Sequence, residues 1–142
     1  MANSISEKNA KIIDVKNLHV SLGWFDSSVS FGEPGYEERE TLLNGADVAS
    51  KSGFTDLLLN SGTKPVLDNQ TGISFIKSKT SNSSCNIHPI GALTLSSESK
   101  DLAELYDMKK SCAVGFYDFK KPIINSNLLK TALIYSQSFN SV

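Results

Sequence analysis

Two cysteines, two histidines, four prolines and one tryptophan are spread over 142 residues, and each scarcity excludes something. Neither Cys85 nor Cys112 has a second Cys or a His at ligand spacing, so a structural zinc module is excluded. Two thiols also fall short of the disulfide framework of a small secreted domain. No apolar run approaches the roughly 20 residues of a membrane helix. Residues 1–8, Met-Ala-Asn-Ser-Ile-Ser-Glu-Lys, lack the apolar centre of a secretory leader. A cytoplasmic location without membrane attachment is therefore expected.

Neither sign of charge dominates. Fourteen Lys and Arg against fifteen Asp and Glu leave a formal net charge of −1. No basic stripe stands out for nucleic acid, and the pairs Lys109-Lys110 and Lys120-Lys121 read as solvated surface. His19 and His88 have no partner at helical spacing and read as packing or surface residues. There is no Gly-x-Ser-x-Gly elbow and no phosphate-loop lysine.

What is present is a rhythm. Hydrophobic residues make up 39% of the chain, enough for the core of one domain. Residues 12–15 and 18–22 read as two short strands, and residues 24–31 as another, closed by Glu33-Pro34-Gly35. Residues 36–52 carry Leu42, Leu43, Ala46, Val48 and Ala49 at helical spacing. Glu37, Glu38 and Glu40 are expected in the first turns, and Gly53 ends the helix. Strands are expected at 54–59, 86–93 and 113–117, with Pro89 marking a bulge or an edge. Helices are expected at 69–78, 100–110 and 125–139. Apolar strands alternating with amphipathic helices imply an α/β fold with a parallel sheet.

Several stretches resemble one family. Residues 23–35 read Gly-Trp-Phe-Asp-Ser-Ser-Val-Ser-Phe-Gly-Glu-Pro-Gly. They are similar to the first barrel strand of the dihydroorotases and related cyclic amidohydrolases, roughly Pro-Gly-Phe-Ile-Asp-x-His-Val-His-Leu-Arg-Glu-Pro-Gly. Gly53-Phe54-Thr55 resembles the entry to the second strand. Thr63-Lys64-Pro65-Val66-Leu67-Asp68-Asn69 resembles the loop Asn-Thr-x-Pro-x-x-Asp-Asn. Pro89-Ile90-Gly91-Ala92-Leu93-Thr94 resembles the third strand, Leu102-Ala103-Glu104-Leu105 the helix after it, and Ala113 to Asp118 the fourth strand, Ala-Val-x-Phe-Ser-Asp-Asp-Gly.

The resemblance implies four consecutive βα units of a (β/α)₈ barrel, a half-barrel over 23–142, where a complete barrel takes about 250 residues. Residues 1–22 would be a remnant of the family's small β domain. The alternative is a closed-up, flavodoxin-like sheet with helices on both faces. The family hydrolyses a cyclic amide with zinc-activated hydroxide. Ser28 and Ser30 stand where it has two zinc-binding histidines, and hydroxyls are poor zinc ligands. Gly32 stands in place of a substrate-binding arginine, and Gly62 in place of an asparagine. Asp118 matches the first of two aspartates after the fourth strand, with Phe119 in place of the second; by itself it reads as a solvated or loop-capping residue. No catalytic residue, metal or cofactor is therefore expected.

The implied role is a catalytically inactive structural or assembly unit related to pyrimidine biosynthesis. One alternative is a metal-dependent hydrolase active only with a missing C-terminal half. Another is a non-catalytic partner of aspartate transcarbamoylase. Open strand edges imply a homodimer, and small polar residues at Ser28, Ser30, Asn60 and Ser61 would ease exposure of the barrel mouth. Cys85 and Cys112 fall at the starts of neighbouring strands, about 4.8 Å apart between strands, which makes a bridge under oxidation conceivable.

Overall fold

The computed structural model describes residues 11–141. The expectations for residues 1–10, including the absence of a leader, lie outside the described residues. Three parallel strands form the sheet: β1 (Trp24–Val29), β2 (Phe54–Leu59) and β3 (Asn86–Pro89), in that order. Parallel pairing needs a crossover between each pair of strands, and helices supply it. They are α1 (Leu42–Lys51) and α2 (Gln70–Lys79), followed by α3 (Leu105–Lys110) and α4 (Ser126–Gln137). The fourth strand is reduced to a single parallel bridge between Gly91 and Phe116. Val114 N–H still donates to Pro89 O, and Tyr117 N–H to Gly91 O, both at 3.0 Å, so this segment runs beside β3 as expected.

Side chains on β2 alternate. Leu57 and Leu59 are buried, whereas Asp56 and Leu58 are half-exposed. The buried set meets Leu42 and Ala46 of α1, Ile73 and Ile76 of α2, Leu105 and Met108 of α3, and Ala132 of α4 in one core. Helix α1 packs on β2 and α2 on β3, with α1 beside α2 and α2 beside α3. Helices α1, α2 and α3 therefore line up side by side along the sheet, where a flavodoxin-like arrangement would alternate them between its two faces. Among the described residues, no helix is long and apolar enough to cross a membrane.

The helix boundaries follow their caps. Thr41 Oγ1 accepts from Asn44 N–H, Asn69 Oδ1 from Gly72 N–H, and Asn125 Oδ1 from Leu128 N–H. Gly53 follows α1 at φ +91°, the left-handed geometry a helix-ending glycine provides. Helix α1 begins at Leu42, later than expected, so Glu37 and Glu38 lie in the preceding turns. The carboxylate at its N-terminus is Glu33, whose Oε2 accepts from Leu42 N–H at 2.9 Å and whose Oε1 meets Lys79 of α2. Glu33 is only 4% exposed.

Other expectations fail for identifiable reasons. β3 ends at Pro89, one bond short of the Ile90 N–H that still donates to Leu59 O at 2.9 Å. Helix α3 starts at Leu105 because residues 93–103 bond among themselves: Leu95 N–H donates to Asp101 O and Ala103 N–H to Leu93 O. Ser96, Ser97 and Ser99 sit at φ +50°, +53° and +57°, which no continuous helix allows. Residues 11–23 form no strand. They run past one turn at Lys16-Asn17 with Ile12, Val20 and Leu22 exposed, because no neighbouring strand pairs with them among the described residues.

Candidate functional site

The strands end in a connected polar cluster. The Nδ2 amide of Asn60, immediately after β2, donates to Ser28 Oγ at 3.2 Å and to Ser30 Oγ at 3.0 Å. The hydroxyl of Tyr117, beside the end of β3, donates to Asn60 Oδ1. Ser61 Oγ donates to the Tyr117 carbonyl at 3.1 Å. A primary amide has two N–H donors and one carbonyl, and all three functions are engaged. Burial pushes the Tyr117 hydroxyl above its usual pKa, and hydrogen bonding with Ser28 opposes that shift. Asn60 and Ser61 are 3% and 0% exposed, so they seal the strand ends instead of easing exposure to water.

Asp118 is not solvated. It is 4% exposed, and its Oδ1 accepts from the backbone N–H of Leu93 at 2.9 Å and of Thr94 at 3.0 Å. Its Oδ2 accepts from the Thr94 hydroxyl. The carboxylate caps the loop after β3, and its charge is spent on these donors.

The two glycines are closed positions. A β-carbon on Gly32 would lie 1.8 Å from the Tyr36 carbonyl oxygen. One on Gly62 would lie 2.5 Å from Cδ1 of Phe119. Phe119 in turn packs edge-on against Tyr117, with ring centroids 6.1 Å apart.

A zinc ion requires imidazole, thiolate or carboxylate donors. Here the candidate positions offer two hydroxyls tied to an amide and one carboxylate held by two backbone N–H groups and the Thr94 hydroxyl. Among the described residues, no group of three or more His, Cys, Asp or Glu side chains could hold a metal ion. The residues present do not fit the metal.

Further observations concern residues away from the cluster. His88 Nε2 lies 2.8 Å from Asp56 Oδ1 on the half-exposed face of β2 and β3. This contact, with help from Thr55 and Asn86, holds the Asp56 carboxyl below its usual pKa. His19 lies in the exposed segment before β1. Cys85 is buried and Cys112 exposed, both as free thiols. A cavity of about 570 Å³ lies apart from the cluster, lined by Pro34, Pro65 and Phe75 among others.

No protein-family model matches the chain. Individual proteins do. A dihydroorotase of Pelotomaculum thermopropionicum is 39% identical over 132 residues, which is 93% of this chain and 31% of that protein. Dihydroorotases of Syntrophus aciditrophicus and Ruminiclostridium cellulolyticum are each 33% identical over 95% and 99% of this chain. This chain matches a fragment of a dihydroorotase, an enzyme of the amidohydrolase superfamily. It spans about a third of the length of these dihydroorotases.

Within this dihydroorotase-related chain, three side chains escape a reading by motif. Tyr117 precedes the aspartate that attracts attention, yet it closes the Asn60 network. Phe119 reads only as a missing aspartate, yet its ring occupies the space beside Gly62. Asp56 sits on the same strand face as Leu58, and parallel register sets it opposite Asn86, two residues before His88. Alternation along β2 and β3 is the signal that could have paired Asp56 with His88.

Proposed function

We propose that this chain is a catalytically inactive dihydroorotase-related half-barrel, a fragment or pseudoenzyme acting as a structural or assembly unit connected with pyrimidine biosynthesis. In this reading Ser28 and Ser30 occupy the positions of the two ligand histidines, and Gly32 and Gly62 those of the substrate-binding arginine and asparagine. One observation carries it: a single amide, Asn60 Nδ2, holds both serine hydroxyls while Tyr117 engages its carbonyl. The polar groups at the strand ends satisfy one another and leave no free donor set for metal-activated hydroxide. Asp118 supports the same reading, since its carboxylate serves the loop after β3.

The test is zinc content and dihydroorotate turnover on one purified sample, after incubation with excess zinc and dialysis. Less than a tenth of an equivalent of zinc and no turnover are expected. One equivalent of zinc per chain would overturn the reading.

The span of the match, about a third of the related dihydroorotases, favours a second reading. The chain would then contribute one part of a metal-dependent cyclic amide hydrolase whose other elements come from further polypeptide. Activity appearing when residues matching the remaining two-thirds of a dihydroorotase are added would establish that reading over the first.

A further inference from the structure

We propose that two copies of this chain associate edge to edge, the α4 edge of each against the β1–α1 edge of the other. The proposal rests on the assembly-unit reading only in taking four βα units as half of a closed ring.

The first edge is an apolar groove. A cavity of about 210 Å³ opens between β1 and α1, lined by Val29, Phe31, Val48, Ala49, Phe54 and Leu57. Trp24 and Val48 at this edge are 66% and 52% exposed. Among the described residues, β1 pairs with β2 alone, so its other side has no strand partner.

The second edge carries the complement. Helix α4 buries Ala132 and Ser136 but leaves Leu129 and Leu133, one turn apart, 38% and 47% exposed. The segment before α4 adds Val114, 43% exposed.

Charge decides what covers these faces. Leaving out the buried Glu33, residues 24–51 hold five carboxylates against two cations, Arg39 and Lys51, a net of −3. Leaving out the buried Asp118, residues 105–137 hold five lysines against one carboxylate, Asp107, a net of +4. An acidic apolar edge and a basic apolar edge on the same chain attract each other between copies and repel their own kind. A head-to-tail contact of this type closes into a ring or grows into a filament. With half a ring per copy, two copies close it, and both contacts form at once about a two-fold axis.

Light scattering after gel filtration tests this directly, since one chain weighs 15.4 kDa. Twice that mass is expected for the unmodified chain. Val48→Asp and Leu133→Asp, on opposite edges and both at half-exposed positions, should each halve the mass with an unchanged circular dichroism spectrum. Lys130→Glu, an exposed change that removes no apolar contact, should shift the dimer towards monomer. Phe75→Asp on α2, 39% exposed and belonging to neither edge, should leave the dimer intact. A monomeric unmodified chain overturns the proposal, as does a mass that climbs past two copies with concentration. A dimer indifferent to both edge variants, or one broken by Phe75→Asp, overturns the assignment of the edges.

Discussion

The ring of Phe119 and a side chain at Gly62 exclude each other: a β-carbon on the glycine would approach Cδ1 of the ring to 2.5 Å. The two residues are 57 positions apart in sequence, so the pair is a tertiary relationship between the loop after β2 and the segment after Tyr117. Gly62→Asn is expected to destabilise the fold by about 1–3 kcal/mol, the usual cost of overpacking. Phe119→Ala in the same chain should recover part of that loss. Urea denaturation of the two single variants and the double variant measures the coupling; strict additivity would show that the ring is not the obstacle. Gly32→Ala should be worse and unrescued by Phe119→Ala, because its obstacle is backbone, the Tyr36 carbonyl.

The Asn60 network predicts an order of effects. Asn60→Leu leaves the Tyr117 hydroxyl and both serines without their amide partner, and should cost about 1–3 kcal/mol. Tyr117→Phe removes one bond from the same network and should cost about 0.5–1.5 kcal/mol. Thermal unfolding of the two variants checks the order, and a reversed order counts against the network as drawn.

The loop after β3 offers a stabilising change. Ser96 sits at φ +50° and is exposed, a conformation costing an L-residue about 1–2 kcal/mol. Glycine adopts it without that cost but loses about 0.5–1 kcal/mol of chain entropy on folding. Ser96→Gly should therefore raise stability by up to about 1 kcal/mol. Ser99→Gly should gain less, because the Ser99 hydroxyl donates to Pro122 O at 3.0 Å and that bond would go.

Asp56 makes stability depend on pH in a defined direction. Its carboxyl is held below the usual range by His88 first, then Thr55 and Asn86. A carboxylate with a lowered folded-state pKa stabilises above its unfolded value and loses that contribution as pH falls through the folded one. The stability gap between the unmodified chain and Asp56→Asn should therefore close as pH drops below about 4. Chemical denaturation across that range provides the comparison, and a gap constant with pH would remove Asp56 as the cause.

The thiols should differ sharply. Cys112 is exposed, whereas burial and the nearby Asp56 charge push the Cys85 thiol up in pKa. Ellman's reagent should titrate one thiol in the native chain and the second only after unfolding. Two rapid equivalents would contradict the burial of Cys85.

Much of the architecture was legible because it is locally encoded. The asparagines at 69 and 125 cap the helices that follow them, and Gly53 ends α1, as their chemistry dictates. The strand alternation and the parallel order also follow from short-range pattern. What was not legible depends on distant partners. Glu33 caps a helix nine residues downstream while holding a lysine 46 residues away, and no local periodicity encodes that. The serines at 96, 97 and 99 carry no turn glycine to warn that residues 100–104 are not helical. The strand-like pattern of residues 12–22 is real, but a strand exists only with a neighbour to pair with. At the candidate site the motif located Ser28, Ser30 and Asp118, while their bonding partners Asn60, Tyr117 and Thr94 became visible only with the fold.

Glu33 has a kinetic consequence. One buried carboxylate touches the first amide of α1 and the last lysine of α2, so neither helix can open without stranding it. Removing one partner leaves the buried Glu33 carboxylate with a single contact, a cost of about 1–3 kcal/mol. The two helices should then exchange their amide hydrogens as a single cooperative block, and that shared opening should vanish in Glu33→Gln, where α1 and α2 would exchange at separate rates.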